Sequence, residues 1–356
     1  MNRDRINKLI NKFSNHSIDA IYITNITNVR YLTGFTGSAA SLLIVGNDSH
    51  FFTDGRYTEQ VKDQVKNSQI HITGSSHIKE IQTQNLLDKD YKVGFESDHI
   101  NYSMFQALRK LFSNVNWVET SNIVELIAAV KDQEEINSLK TAVEITDKVF
   151  DDILPMLKEG VSENKIAATM SYKFKEYGAE GDSYDPIVAS GWRSALPHAT
   201  PTEKCFENGD FVVMDFGALY NGYHADMTRT VIIGGATEKH KEIYGIVLES
   251  QLAGIDKAKA GITGAEVDSA CRSIIDNAGY GKYFNHSTGH GLGLEVHTLP
   301  RLSSINKEPL LENYVVTIEP GIYIPKWGGV RIEDDCWIKK DSCRPMNKST
   351  KELLSL

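Results

Sequence analysis

Acidic residues recur in this chain at spacings that could set them around a cation. In FVVMDFGALYNGYHADMTRTVIIG, Asp215 and Asp226 flank Asn221-Gly222, a strong type I′ hairpin signal between two strand patterns. With Tyr220 facing Tyr223, Thr228 falls opposite Asp215 and Asp226 opposite Gly217, so the aspartates are diagonal neighbours on one face. Val212, Met214 and Phe216 point the other way and read as core. Two carboxylates about 4 Å apart repel by roughly 4 kcal/mol at an effective dielectric of ~20, and a cation relieves that repulsion. Further donors follow. Glu319 ends the apolar strand of VVTIEPGIYIP, Arg331 and Glu333 share a strand face in GGVRIEDDCWI, and His286, His290 and His297 crowd the glycine-rich HSTGHGLGLEVH. Four carboxylates and one imidazole balance the charge of two divalent cations. Such a pair acidifies bound water and stabilises oxyanion charge, so the chemistry indicated is hydrolysis. An oxygen-rich donor set favours manganese, with zinc, cobalt or iron as the other candidates.

Each of these features also has a plainer explanation. An aspartate pair can be a solvated sheet face, Arg331 beside Glu333 a structural ion pair, and His224 a packed or hydrated strand histidine. The run G-H-G-L-G lacks the G-x-G-x-x-G spacing and the following helix of a phosphate cradle. Its glycines instead let backbone approach a crowded centre.

The elements that position these residues follow from patterning. At 356 residues the chain exceeds one ordinary core, which predicts two domains. The net charge of -9, with no run of basic residues, argues against nucleic acid. No apolar run of membrane-spanning length occurs, and four cysteines without C-x-x-C pairing point to a reducing cytoplasm. Residues 1–125 alternate strands (18–24, 39–45, 51–54, 69–73, 92–96, 116–120) with amphipathic helices (56–66, 78–87, 102–112), an α/β layer. Residues 126–356 run two helices then strands, twice over. The helices start near Lys131, at Ser162, at Thr237 and at Thr263, the last opened by a capping box with Glu266. Strands return at 314–319 and 330–338, so two related α+β halves pack around a shared site.

The segments MDFGALYNGYHADMTRT, STGHGLGLEVH, TIEPGIY and VRIEDD resemble the pita-bread metallopeptidases, the family of aminopeptidase P, prolidase, methionine aminopeptidase and creatinase. GFTGSAASLLIV and FFTDGRY resemble the amino-terminal domain of its proline-directed branch. The resemblance implies a creatinase-type α/β domain over 1–125 and a pita-bread catalytic domain with pseudo-twofold helix-helix-hairpin halves over 126–356. It also implies two divalent metal ions on Asp215, Asp226, His290, Glu319 and Glu333, with Thr228 steadying a ligand. His198 and His297 would assist the scissile carbonyl, His286 and Arg331 would line or orient the site, and Glu319 would shuttle the proton. The implied reaction releases an amino-terminal residue that precedes proline, as a Xaa-Pro aminopeptidase, without a covalent acyl-enzyme. A Xaa-Pro dipeptidase (prolidase) is the alternative, and a non-catalytic binding protein on the same fold is a third reading that intact ligands oppose. A cytoplasmic homodimer is expected from the family. His224 stands where many relatives carry a small residue.

Overall fold

Short apolar runs in the first third of the chain build one six-stranded sheet, in the order Gln69–Thr73, Asp48–Asp54, Ala40–Val45, Ala20–Ile23, Lys92–Glu96, Asn116–Thr120. The computed structural model describes residues 2–356 apart from Ser75, Asp88 and Lys89. The chain divides into units Met1–Ala128 and Ala129–Leu356. In the first unit, Tyr22, Leu43, Phe52, Val93 and Phe95 form a core with Ile78, Ile81 and Leu108 of the helices. The helix expected over 56–66 is instead a short turn at Gly55–Tyr57 followed by Gln60–Gln64. Asp54 takes the Arg56 backbone N–H and its guanidinium, which closes the turn locally. A helix at Ile26–Thr33, which the patterning does not predict, starts where the Asn25 side chain accepts from Thr27 N–H and stops at Gly34, φ +81°.

The second unit is built twice from two helices and a sheet. Gln133–Ile153 and Glu163–Glu176 pack on the strands Ile187–Ser190, Phe211–Phe216 and Met227–Ile232 through Val149, Phe150, Met170, Phe174, Met214 and Phe216. Glu238–Lys257 and Gly264–Asn277 accompany a five-stranded sheet that carries Gly289–Gly291, Val315–Ile318 and Asp334–Ile338. The helix starts are chemically specified. Ser162 caps through Lys165 N–H, and Asp132 and Thr263 form capping boxes with Glu135 and Glu266, devices each worth about 1 kcal/mol.

The aspartate hairpin has the register its turn dictates. Asn221 and Gly222 both take positive φ (53° and 79°), Tyr220 faces Tyr223, and Thr228 faces Asp215. The second acidic segment differs from expectation. Residues 330–338 are two strands: Gly328–Arg331 pairs with Gly321–Ile324, and Asp334–Ile338 pairs with Val315–Ile318. Glu333 sits in the break because its backbone N–H donates to Thr228 O (3.2 Å) rather than to a ladder partner. Arg331 thus ends one strand and Glu333 lies outside both, although the two residues line the same cavity.

Gly217 is required by the hairpin's close approach. A Cβ there would stand 1.7 Å from the carbonyl oxygen of Ala225, a clash with backbone that no side-chain rotation removes. Gly217→Ala should lower unfolding stability by roughly 1–3 kcal/mol or more, the usual scale of overpacking. Denaturant unfolding of the metal-free protein measures this, and an unchanged midpoint would contradict the register.

Candidate metal centre

The two hairpins bring their acids to one cavity of about 200 Å³. Asp215 and Asp226 reach it from the first half of the unit, and His290, Glu319 and Glu333 from the second. Ligand atoms of Asp226, His290 and Glu333 all lie within 4.8 Å of one another. His290 Nε2 lies 3.4 Å from Glu319 Oε1 and 3.6 Å from Asp226 Oδ2. Its Nδ1 faces the carbonyl of Gly291 at 3.1 Å, so Nδ1 carries the proton and the Nε2 lone pair points at the carboxylates. Burial, and then His297, lowers the His290 pKa to about 4, so the ring is neutral as a ligand must be.

Electrostatics marks the cluster as a cation site. Burial, and then the Asp215 charge, holds Asp226 well above the usual carboxylate range. Burial, and then Asp226, does the same to Glu333. Glu319 is raised to about 7, chiefly by burial, with Arg331 pulling down and Asp215 pushing up. Buried acids whose ligand atoms lie within 4.8 Å of one another and of an imidazole are what a divalent ion neutralises, and the donor set of carboxylate oxygens and one imidazole suits such an ion.

Neighbours hold the acids apart and in place. The Tyr184 hydroxyl donates to both Asp215 Oδ1 and Asp226 Oδ1. Thr228 Oγ1 donates to Glu333 Oε2 at 2.6 Å, and Thr317 Oγ1 to Glu319 Oε1 at 3.3 Å. Buried Arg331 forks four ways, to Asp215 Oδ2 (2.6 Å), Tyr323 Oη (2.8 Å), Thr228 Oγ1 (3.0 Å) and the Pro197 carbonyl (3.4 Å). Its ion pair is thus with Asp215 across the two halves, and not with Glu333.

His198, His286 and His297 line the same cavity. His286 is fixed by Tyr323 Oη at 2.9 Å, and burial lowers its pKa to about 4. His297 lies against His290, ring centroids 4.4 Å apart. Of the residues singled out in the sequence for the site, only Thr228 is absent from the lining, because it stands behind Glu333. His224 lines no part of it, its Nδ1 facing Ser183 Oγ (2.9 Å) and Ser183 O (3.0 Å). Sequence reasoning overlooked Tyr184, Tyr323 and Arg301. Arg301 carried a weak signal, since it follows the histidine-rich stretch, and it pairs with His290 in the sheet. Its exposed guanidinium reaches the cavity and has no hydrogen-bond or ion-pair partner among the described residues.

The sequence pattern of metallopeptidase family M24 matches residues 137–340, and that of the Creatinase/Prolidase N-terminal domain matches residues 5–130. A Xaa-Pro dipeptidase of Pyrococcus horikoshii is 38% identical over 99% of both chains. A solved Xaa-Pro dipeptidase from Bacillus anthracis is 42% identical, with TM-score 0.97 over 100% of each chain. The X-Pro aminopeptidase from Thermotoga maritima is 38% identical, with TM-score 0.89 over 97% of this chain and 100% of that one. The creatinase-type and pita-bread architecture expected from the sequence is therefore the fold of this chain.

Cation binding requires these carboxyls to be deprotonated. With Glu319 near 7 and Asp226 and Glu333 also raised, manganese binding at pH 7 should release protons and tighten as pH rises. In the metal-free protein, the Glu319 contribution to stability is full below its ordinary value of 4.5 and is lost as pH climbs through about 7. Calorimetric titration in two buffers of different ionisation enthalpy checks the proton release, and identical heats in both would sink it.

Proposed function

The chain belongs to metallopeptidase family M24, and on that premise we propose that it is a dinuclear metal-dependent dipeptidase cleaving the bond between an amino-terminal residue and a following proline. The observation that carries the dipeptide preference is Arg301. In a dipeptide a free carboxylate lies one residue beyond the scissile bond, whereas a longer peptide presents a neutral amide there. An unpaired guanidinium at the cavity supplies the bidentate partner that a carboxylate needs and an amide cannot use. The cavity, at about 200 Å³, is small beside the roughly 300–1,000 Å³ common for ligand pockets. The names of the relatives from Pyrococcus horikoshii and Bacillus anthracis point the same way. A Xaa-Pro aminopeptidase acting on longer peptides is the second reading, favoured by the likeness to the Thermotoga maritima enzyme. A non-catalytic binding protein would have no need to keep five ligands and their neighbours intact.

In this reading Asp215, Asp226, His290, Glu319 and Glu333 hold two divalent ions, manganese first among the candidates. Once bound, the ions supply Lewis acidity at the scissile carbonyl and acidify a water. Glu319, on the cavity wall, takes a proton from the attacking water and returns it to the departing proline nitrogen. His297 and His198, both on the cavity wall, donate N–H to the carbonyl oxygen as it gains charge. Arg331 keeps Asp215 oriented and His286 buttresses Tyr323. This reading involves no covalent acyl-enzyme. The reading includes a homodimer working in the cytoplasm. Among the described residues, no helix is long and apolar enough to cross a membrane.

Purified protein loaded with manganese should hydrolyse a Xaa-Pro dipeptide much faster than the matching Xaa-Pro-Yaa tripeptide. Arg301→Ala should raise KM for the dipeptide about 10- to 100-fold, the scale of one charge-assisted hydrogen bond, and leave tripeptide cleavage nearly unchanged. Equal rates on both peptides would support the aminopeptidase instead. Metal bound without turnover of either would favour the binding protein.

Glu333→Ala should lose one metal by elemental analysis and drop turnover by at least about 100-fold, because a ligand and its charge are removed together. Full activity in that variant would overturn the assignment of Glu333.

A further inference from the structure

Two acids immediately after Glu333 take no part in the proposed chemistry. Asp334 is neutralised by Arg229 (2.7 Å) and Lys351 (2.6 Å). Asp335 has no such cation among the described residues. It is fully buried, and its Oδ2 accepts the backbone N–H of Asp226 at 3.0 Å from 109 residues away in the chain. Its own backbone N–H donates to Asn347 Oδ1 at 2.7 Å. Asp335 Oδ1 and Asn347 Nδ2 are buried with no partner among the described residues. A buried carboxylate with one orphaned oxygen, set behind a cluster of like charge, works against stability. What it does achieve is to fix the main chain at Asp226 relative to the segment that bears Glu333.

Asn347 is itself held on both sides. Met346 N–H donates to Asp335 O at 2.8 Å, and Lys348 and Ser349 N–H donate to the Asp147 carboxylate at 2.8 and 3.0 Å. Buried Arg229 donates to the carbonyls of Ser349 and Thr350, each at 3.0 Å, and to that of Glu333 at 2.5 Å. The residues from Met346 to Thr350 thus form a strap across the back of both acidic hairpins.

We propose that Asp335 and Asn347 are positioning residues for the metal centre, an inference that rests on the dinuclear reading above. Together they form a relay from the strap, through Asp335, to the backbone of Asp226, and so set the separation of Asp226 from Glu333. Neither residue touches substrate. Their effect is on how well the two ligands are spaced for a cation.

Chelator-treated full-length protein titrated calorimetrically with manganese alone tests this without relying on turnover. Asp335→Ala should weaken manganese binding about 10- to 100-fold, the usual effect of losing a ligand's hydrogen-bond support. Asn347→Ala should weaken it in the same direction. Asp335→Asn keeps an acceptor for the Asp226 N–H and should bind within about threefold of wild type, a rescue that general loss of packing does not predict. Wild-type affinity in Asp335→Ala would overturn the proposal, as would Asp335→Asn falling as far as the alanine variant. If Asp335→Ala gives no cooperative melt when metal-free, Asn347→Ala decides, and unchanged affinity there overturns it. Wild-type protein that binds manganese tightly but cleaves no Xaa-Pro peptide would refute the peptidase reading and leave this one standing.

Discussion

Burial and like-charge repulsion act in the same direction on Asp226 and Glu333, and both raise the cost of keeping these groups ionised. Asp215 and Glu319 border the same space. Folding must therefore gather charges of one sign into a volume from which water is largely excluded, where their interaction is several times stronger than in solvent. The neighbours relieve only part of this. Tyr184 shares one hydroxyl between two aspartates, Arg331 supplies one full positive charge to Asp215, and Thr228 and Thr317 each give one hydrogen bond. One buried guanidinium cannot offset four acids, so those whose pKa is raised hold their protons until a cation displaces them. A site so arranged is stable as a host for cations and strained without them.

The requirement that the acids approach closely explains much of the backbone around them. Gly217 lets one hairpin strand pass against Ala225, and Gly289 and Gly291 do the same for the second half, where an added Cβ would lie 2.0 Å from the carbonyls of Thr317 and Leu299. Side chains in these places would collide with backbone and force the ribbons apart. The break at Glu333 serves the same end. By bonding to Thr228 through both main chain and side chain, Glu333 leaves its own sheet and ties the second half to the first. Long helices behind each sheet bury the apolar faces, and this burial offsets the local strain in front.

What could be read from the sequence was what local chemistry decides. Asn221-Gly222 admits one tight turn, the turn sets the register, and the register sets which face Asp215 and Asp226 share. The capping box at Thr263 is similarly self-contained. What could not be read depends on partners far along the chain. Nothing in GDSYDP announces that Tyr184 will reach aspartates 31 and 42 residues away, and Arg331 beside Glu333 in sequence pairs with Asp215 at a separation of 116. The single strand expected over 330–338 followed from its apolar alternation, and a cross-half hydrogen bond at Glu333 overrode it. The helix at Ile26–Thr33 had both a capping Asn25 and a stop at Gly34, but β-branched residues at its start masked them.

The ligand set could name a chemistry but not a substrate, and the geometry suggests why these are separable. Arg301 pairs across the sheet with His290 itself, beside an irregularity in register between His290 and Gly291. Its place is therefore fixed by the strand that carries His290, while Arg301 itself remains exposed. A change at His290 disturbs a buried cluster of acids and is costly. A change at Arg301 alters only a solvated cation, whose replacement leaves no buried partner unpaired. On the role proposed for Arg301, selection between a free carboxylate and a continuing peptide shifts without touching the acidic cluster, and solved relatives of the same fold carry both kinds of name.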